Sequence, residues 1–312
     1  MKLVFCGTPQ FAVPSLEAVI AAGHEVHLVV TQPDRAVGRN QILQAPPVKR
    51  VAMEHGIRVV QPEKIKNNPE FRATLEAIRP DAILVVAYGR IIPDWMLNLP
   101  RFGCINLHGS LLPKYRGAAP IQWAVANGEV VTGVTTMRLD SGLDTGDLLL
   151  AQVVPVGIEE TAVDVYECLA AAGAELMVET LHGLDAGSIW PQPQDHSLAT
   201  LAPILTREDG RIDFSRTAKH VYDRWRGFQP WPGAHTALRG RKLIVHRMHL
   251  VERFSDLDEG MLIVEDDALL AGCGGRTMLA LDEVQMEGKR RMSAAEFLRG
   301  HQIKSGERLG RE

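Results

Sequence analysis

Cysteine is scarce in this chain. Four residues, Cys6, Cys104, Cys168 and Cys273, are scattered over 312 positions. None stands in a C-x-x-C pair or beside histidine at a metal-ligand spacing, so neither a structural zinc site nor a dense disulfide framework is expected. Cys6 and Cys104 lie in apolar runs and read as small packing residues. Long apolar stretches are missing too: no run approaches the ~20 residues of a membrane span. The opening MKLVFCGTP lacks the apolar core and small-residue cleavage site of a secretory signal. A cytoplasmic protein with no membrane partner is expected. At the first strand–helix turn, Gly7-Thr8-Pro9 offers one glycine where a dinucleotide fold carries G-x-G-x-x-G, which disfavours a nicotinamide or flavin cofactor. There is no large excess of positive charge either. The net charge of −4 argues against an indiscriminate nucleic-acid binder.

What is present suits a soluble globular protein, with 46% apolar and 23% charged residues and length enough for roughly two domains. Apolar runs at 2–6, 25–31, 57–61, 82–87, 104–107, 131–138 and 148–154 read as strands. Between them, 11–22, 46–55, 68–78 and 118–127 read as helices. This alternation predicts an α/β fold built on a doubly wound, mostly parallel sheet. A helical stretch opens at Thr161 and runs to about Leu184. Residues 189–206, rich in proline and polar side chains, read as a linker. It separates expected domains at 1–188 and 207–312. In the second domain, 218–228 reads as a helix. Short β-like runs at 234–238, 242–250, 260–264, 268–272 and 277–284 are punctuated by glycine, which predicts a small β-barrel. Ser293-Ala-Ala-Glu296 is a capping box opening a last helix.

The densest chemistry lies at 103–117, GCINLHGSLLPKYRG. Asn106 and His108 are two apart at the end of an apolar run, so on an extended backbone they face the same way. In open parallel sheets, ligands sit beyond the carboxyl ends of the strands. The same pair also fits a polar strand end with a histidine satisfied in the core. A second segment, RLDSGLDTGD at 138–147, sets Asp140, Asp144 and Asp147 among glycines after another strand. Such a loop permits close backbone approach to a ligand, and it also fits a solvated acidic turn.

Taken together, N-x-H-G-S-L-L-P, Y-R-G-A-A-P-I-Q and D-x-G-x-D-T-G-D resemble the family of 10-formyltetrahydrofolate-dependent formyltransferases. VFCGTPQFAVPSL near the start, TQPDRAVGR at 31–39 and VVAYGRIIP at 85–93 match the family's catalytic domain. FQPWPGAHT at 228–236 and RRMSAAEFL at 290–298 match the C-terminal domain of its members that act on charged initiator transfer RNA. The resemblance runs from about residue 2 to residue 300.

The resemblance implies formyl transfer from 10-formyltetrahydrofolate, as co-substrate, to the free amino group of methionyl initiator tRNA. Asn106, His108 and Asp144 match the family's catalytic residues. Asn106 would donate to the oxyanion, His108 would donate to it and move a proton, and Asp144 would orient His108 and accept a proton from the amine. Folate would lie along Ser110, Leu111, Leu112 and Pro113, with Val86, Tyr88, Gly89 and Arg90 completing the pocket. Leu111 and Leu112 fit a plain core equally well. No metal is implied. The loop 32–47 would grip the RNA acceptor stem through Arg35 and Arg39, although Asn40-Gln41-Ile42 stand where the family often carries glycine and lysine. The C-terminal domain would be an OB-like barrel, and the protein a monomer.

Charge is divided unevenly. Residues 1–205 carry a net −6 and residues 206–312 a net +2. Arg239, Arg241 and Lys242 lie in one basic cluster, 224–247, and 289–291 form another. Each can be an RNA contact or a solvated face. The other readings are a formyltransferase for a small-molecule amine, a 10-formyltetrahydrofolate hydrolase, or a non-catalytic RNA-binding protein.

Overall fold

Two runs without a polar side chain, Leu3–Cys6 and Ala82–Val86, lie side by side in a parallel sheet and are buried on both faces. Such runs suit the interior of an α/β sheet, because helices cover both sides. The computed structural model describes residues 1–37 and 41–310. They divide into two units: 1–120, 131–156 and 164–203 form the first, and 121–130, 157–163 and the chain from 204 onward form the second.

In chain order the elements up to residue 203 are β1 (Lys2–Gly7), α1 (Val13–Ala21), β2 (Glu25–Val30), β3 (Arg35–Val37), β4 (Ile42–Gln44), α2 (Pro47–Glu54), β5 (Val59–Val60), α3 (Pro69–Ile78), β6 (Ala82–Val86), α4 (Asp94–Leu97), β7 (Cys104–His108), β8 (Arg116–Gly117), α5 (Pro120–Ala126), β9 (Val131–Arg138), β10 (Leu148–Pro155), α6 (Ala162–Ala186) and β11 (Leu201–Ala202). The main sheet has the order β10-β9-β7-β6-β1-β2-β5. All its neighbours are parallel except β9, which runs antiparallel to both β7 and β10. The strands expected from the apolar runs are all there.

Two readings change. The loop 32–47 carries an antiparallel hairpin, with Arg35 opposite Gln44 and Ala36 opposite Leu43. Three-residue strands are too short to leave a periodic signal. The expected linker 189–206 is largely part of the first unit. Leu148 and Gln192 exchange backbone hydrogen bonds of 2.7 and 2.8 Å, and β11 pairs with β8. A segment rich in proline gives no periodicity, yet its remaining N–H and C=O groups still find strand partners.

The second unit contains α7 (Ala218–Gly227), β12 (Ala234–Leu238), β13 (Arg241–Val251), β14 (Leu262–Glu265), β15 (Ala268–Cys273), β16 (Thr277–Met286), β17 (Met292–Ser293) and α8 (Ala294–His301). Its antiparallel sheet runs β12-β13-β16-β15-β14, with β17 on β16. The segment 306–310 bridges the two edge strands. Gly310 N–H donates to Ala237 O at 2.9 Å, and Leu262 N–H donates to Glu307 O at 2.7 Å. That bridge gives the sheet barrel-like closure around Leu243, Val245, Leu279, Leu281 and Phe297. Ser293 caps α8, accepting from Glu296 N–H while the Glu296 carboxylate accepts from Ser293 N–H.

Helix α6 lies close on β7. A Cβ placed on Gly173 would stand 2.5 Å from Leu107 Cδ2, and Leu107 sits between Asn106 and His108. Gly173→Val should therefore destabilise the chain by about 1–3 kcal/mol through overpacking, outweighing the fraction of a kcal/mol gained in helix propensity. Chemical denaturation checks this, and an unchanged midpoint would show that α6 can shift away freely.

Candidate active site

Strand β7 places Asn106 beside Val85 of β6 and Met137 of β9, and His108 beside Thr135 of β9. Both lie at the carboxyl end of β7, facing the same way. His108 is buried. Its Nε2 stands 2.9 Å from the Tyr115 carbonyl oxygen. A carbonyl only accepts, so Nε2 carries the hydrogen and neutral His108 bears its lone pair on Nδ1. Nδ1 faces Asp144 Oδ2 at 3.7 Å. That carboxylate oxygen in turn accepts from Gly117 N–H at 2.9 Å.

The backbone around this pair departs from regular geometry. Asp144 has φ +51° and Tyr115 φ +60°, both left-handed. Asp tolerates that region better than most residues, and such conformations collect at functional sites. Gly117 has φ +126°, and a Cβ there would lie 2.6 Å from Ala202 O. Only glycine allows β8 to approach β11 this closely while its N–H still reaches Asp144. Asp140 is occupied elsewhere: its carboxylate accepts from Thr145 Oγ1 at 2.8 and 2.9 Å and from Gly142 N–H at 3.0 Å. It shapes the loop that carries Asp144.

The residues expected to hold folate fall into two groups. The 110–113 turn is fastened by Thr135. Thr135 Oγ1 donates to Ser110 O at 2.7 Å and accepts from Leu112 N–H at 3.2 Å. Ser110 Oγ donates to Lys114 O at 2.6 Å. The Ser110 hydroxyl is thus committed within the turn. Leu112 is buried, and Leu111 packs where Gly133 of β9 leaves room; Pro113 is half-buried. The second group follows β6. Val86 and Tyr88 are buried, whereas Ala87 and Gly89 are exposed with φ +46° and +76°. The Tyr88 hydroxyl has no hydrogen-bond partner among the described residues, and burial pushes its phenol well above the usual tyrosine range. Tyr88 O accepts from Thr8 Oγ1 and Gln32 Nε2, and Arg90 Nε donates to Gln32 Oε1 at 3.1 Å. This network fixes the 88–90 turn.

These geometries meet a consistent result from comparison with known proteins. Residues 1–181 match the family model described as formyl transferase, and residues 204–302 the model described as formyl transferase, C-terminal domain. The methionyl-tRNA formyltransferase of Acidobacterium capsulatum is 62% identical over 99% of this chain and 100% of its own length. The chain belongs to the methionyl-tRNA formyltransferase family. A second relative of the same name, from Koribacter versatilis, is 57% identical over 100% of this chain and 99% of its own. Among solved structures, an N-formyltransferase from Helicobacter canadensis, in complex with folinic acid and dTDP-3-aminofucose, superposes with a TM-score of 0.65. It covers 92% of this chain and 99% of its own at 19% identity, a likeness of fold.

Relative to this family pattern, several groups around the site were hidden in the sequence. Gln194 and Thr200, both in the expected linker, contact the backbone of the site, and the Arg116 guanidinium donates to the Gln194 side chain. An isolated amide or hydroxyl in an aperiodic segment carries no chemical signature. The basic residues are scattered by comparison. Arg35 is exposed at the start of the β3–β4 hairpin, and Arg39 lies outside the described residues. Arg239 is exposed, but its guanidinium pairs bidentately with Glu307 at 2.6 Å and donates to His301 O and Gln302 O. That pairing holds the Glu307 carboxyl below its usual range. Arg241 donates to Glu287 O at 3.0 Å, and Lys242 is exposed. Among the described residues no group of three or more His, Cys, Asp or Glu is placed to hold a metal ion, and no helix is long and apolar enough to cross a membrane.

The double role of Gly117 is open to test. Gly117→Ala forces a side chain into a left-handed position against Ala202 O, so β8 must move. We expect a lower melting temperature together with loss of turnover, read by calorimetry and a transfer assay. A variant with normal stability and normal turnover would show that the Gly117–Asp144 contact is dispensable.

Proposed function

We propose that this chain transfers the formyl group of 10-formyltetrahydrofolate to the amino group of methionine on charged initiator transfer RNA. The observation that carries the reading is the juxtaposition of His108 and Asp144 beside Asn106, in a chain matched along its whole length by methionyl-tRNA formyltransferases. The donor supplies an activated formyl carbonyl, so no covalent enzyme intermediate is required.

The amine nitrogen forms the new bond to the formyl carbon, and the bond from that carbon to the folate nitrogen breaks. Asn106 donates an amide N–H to the carbonyl oxygen as negative charge builds there. Because Nε2–H of His108 is held by Tyr115 O, His108 works through Nδ1. It accepts the proton released by the attacking amine and returns one to the departing folate nitrogen. Asp144 stabilises the imidazolium formed between those steps. The oxyanion task first assigned to both side chains thus falls to Asn106. Folate is proposed to lie between the 110–113 turn and the 86–90 turn, where Leu111 and Leu112 give an apolar wall.

His108→Ala and Asp144→Ala should each lower turnover by about 10²-fold or more with folding preserved. Asn106→Ala should lower kcat without weakening folate binding, since it acts on the transition state. Single-turnover formylation of charged initiator transfer RNA, with elongator transfer RNA and small amines as controls, is the assay. Wild-type turnover in a folded His108 or Asp144 variant would refute the mechanism, and faster transfer to a small amine would refute the substrate.

RNA affinity is proposed to come from the second unit, and the segment 32–47, which carries Arg35 and Arg39 in sequence, to position the acceptor end. The basic cluster divides by geometry. Lys242→Ala should flatten the dependence of log K on log salt by ~0.7–0.9, the amount for one lost phosphate contact. Arg239→Ala should instead lower the melting temperature, because Glu307 and the carbonyls at 301–302 lose their partner. Binding titrations at several salt concentrations, beside melting curves, separate the two. An unchanged slope for Lys242→Ala would make that residue a solvated surface charge.

A further inference from the structure

The segment 192–202 meets the proposed folate turn at one backbone contact, Thr200 N–H to Pro113 O at 3.4 Å, and it reaches Asp144 directly and His108 through Tyr115 by shorter hydrogen bonds. Gln194 is 6% exposed. Its Nε2 donates to Asp144 O at 2.9 Å and to Gly146 O at 2.6 Å. Its Oε1 accepts from Arg116 Nη2 at 2.6 Å and Nε at 3.2 Å. Arg116, also buried, donates as well to His196 Nδ1 at 3.0 Å. Two carbonyls on one side demand a donor, and a guanidinium on the other demands an acceptor. A carboxamide meets both at once, which also fixes its orientation. Six residues on, Thr200 Oγ1 accepts from Tyr115 N–H at 2.8 Å, and Thr200 O accepts from Arg116 N–H at 2.8 Å. Tyr115 O is the group that holds His108, and the next strand residue, Gly117, holds Asp144.

We infer that residues 192–202 form a positioning strap for formyl transfer, in which Gln194 fixes the Asp144 loop and Thr200 fixes the strand that orients His108. The inference rests on the catalytic reading of Asp144 and His108. Its physical basis is the left-handed backbone of Asp144. A non-glycine residue leaves that region when its surroundings permit. Without the Gln194 carboxamide, the carbonyls of Asp144 and Gly146 lose this donor and the Arg116 guanidinium keeps only His196 of the two acceptors. The loop then relaxes, and the Asp144 carboxylate leaves His108. A displacement of about 1 Å at reacting groups can cost ~10²-fold in rate. Gln194 is therefore a positioning residue that acts through Asp144.

The test uses the full chain with both substrates. Gln194→Ala should lower kcat by about 10–10²-fold while either KM changes less than about threefold. Gln194→Glu should fall as far, since it preserves volume and the Arg116 contact but turns a carboxylate toward the two carbonyls. In an Asp144→Asn background, Gln194→Ala should cost less than about threefold more, because the group it positions no longer acts. The strap is overturned by wild-type kcat in Gln194→Ala, by a loss confined to KM, or by the full loss recurring in the Asp144→Asn background. Should Gln194→Ala not fold, Thr200→Val decides. It keeps the shape, removes the acceptor for Tyr115 N–H, and should lower kcat without raising KM; unchanged kcat overturns the strap. Full turnover by Asp144→Asn alone overturns the catalytic reading, and the strap with it. A slow Asp144→Asn beside a wild-type Gln194→Ala overturns the strap alone.

Discussion

Two main-chain groups two residues apart, the carbonyl of Tyr115 and the N–H of Gly117, hold the two ionisable side chains of the site. The carbonyl can only accept, so it fixes the His108 tautomer. The N–H can only donate, so it holds the Asp144 carboxylate. Because both belong to one short stretch of chain, any shift of β8 moves His108 and Asp144 together. This explains why so much of the surrounding structure is devoted to a two-residue strand. β11 pairs with it, Thr200 caps its approach, and the Arg116 side chain is buried against Gln194.

The chemistry follows from that placement. A histidine with one nitrogen committed to a carbonyl has a single nitrogen left for proton transfer, and here that nitrogen faces a carboxylate. The pair can take a proton and keep the resulting charge beside its counter-charge. Asn106, an amide on the same strand face, needs no change of protonation to stabilise an oxyanion. In the proposed mechanism the three tasks of formyl transfer are thus divided among side chains that cannot interchange them. Thr135 performs the matching service on the other side, fixing the 110–112 turn with one hydroxyl that both donates and accepts.

Much of this was legible before any coordinates. Apolar runs bounded by glycine and proline marked β1, β6 and β7. The Asn106–His108 spacing announced a shared face, and the capping box at Ser293 marked the start of α8. Other features were opaque for physical reasons. The hairpin at 35–44 is held by a few cross-strand bonds that need no apolar period. Segment 192–202 contributes through single amide, hydroxyl and backbone groups, whose partners lie tens of residues away in the chain. The pairing of Arg239 with Glu307 was equally hidden, because the two stand 68 residues apart in the chain.

The sequence determined what is local or periodic: an α/β alternation, a run of short strands in the C-terminal domain, and the kinds of side chain present at the strand ends. Tertiary structure decided what depends on direction and distance. It chose which nitrogen of His108 is available, placed Asp140 in the loop scaffold and Asp144 at the site, and bonded the expected linker to the 144–146 loop and to β8. The reason is that hydrogen bonds and ion pairs act over about 3–4 Å in specific directions. Periodicity reports only which way a side chain faces, not which distant group it will meet there.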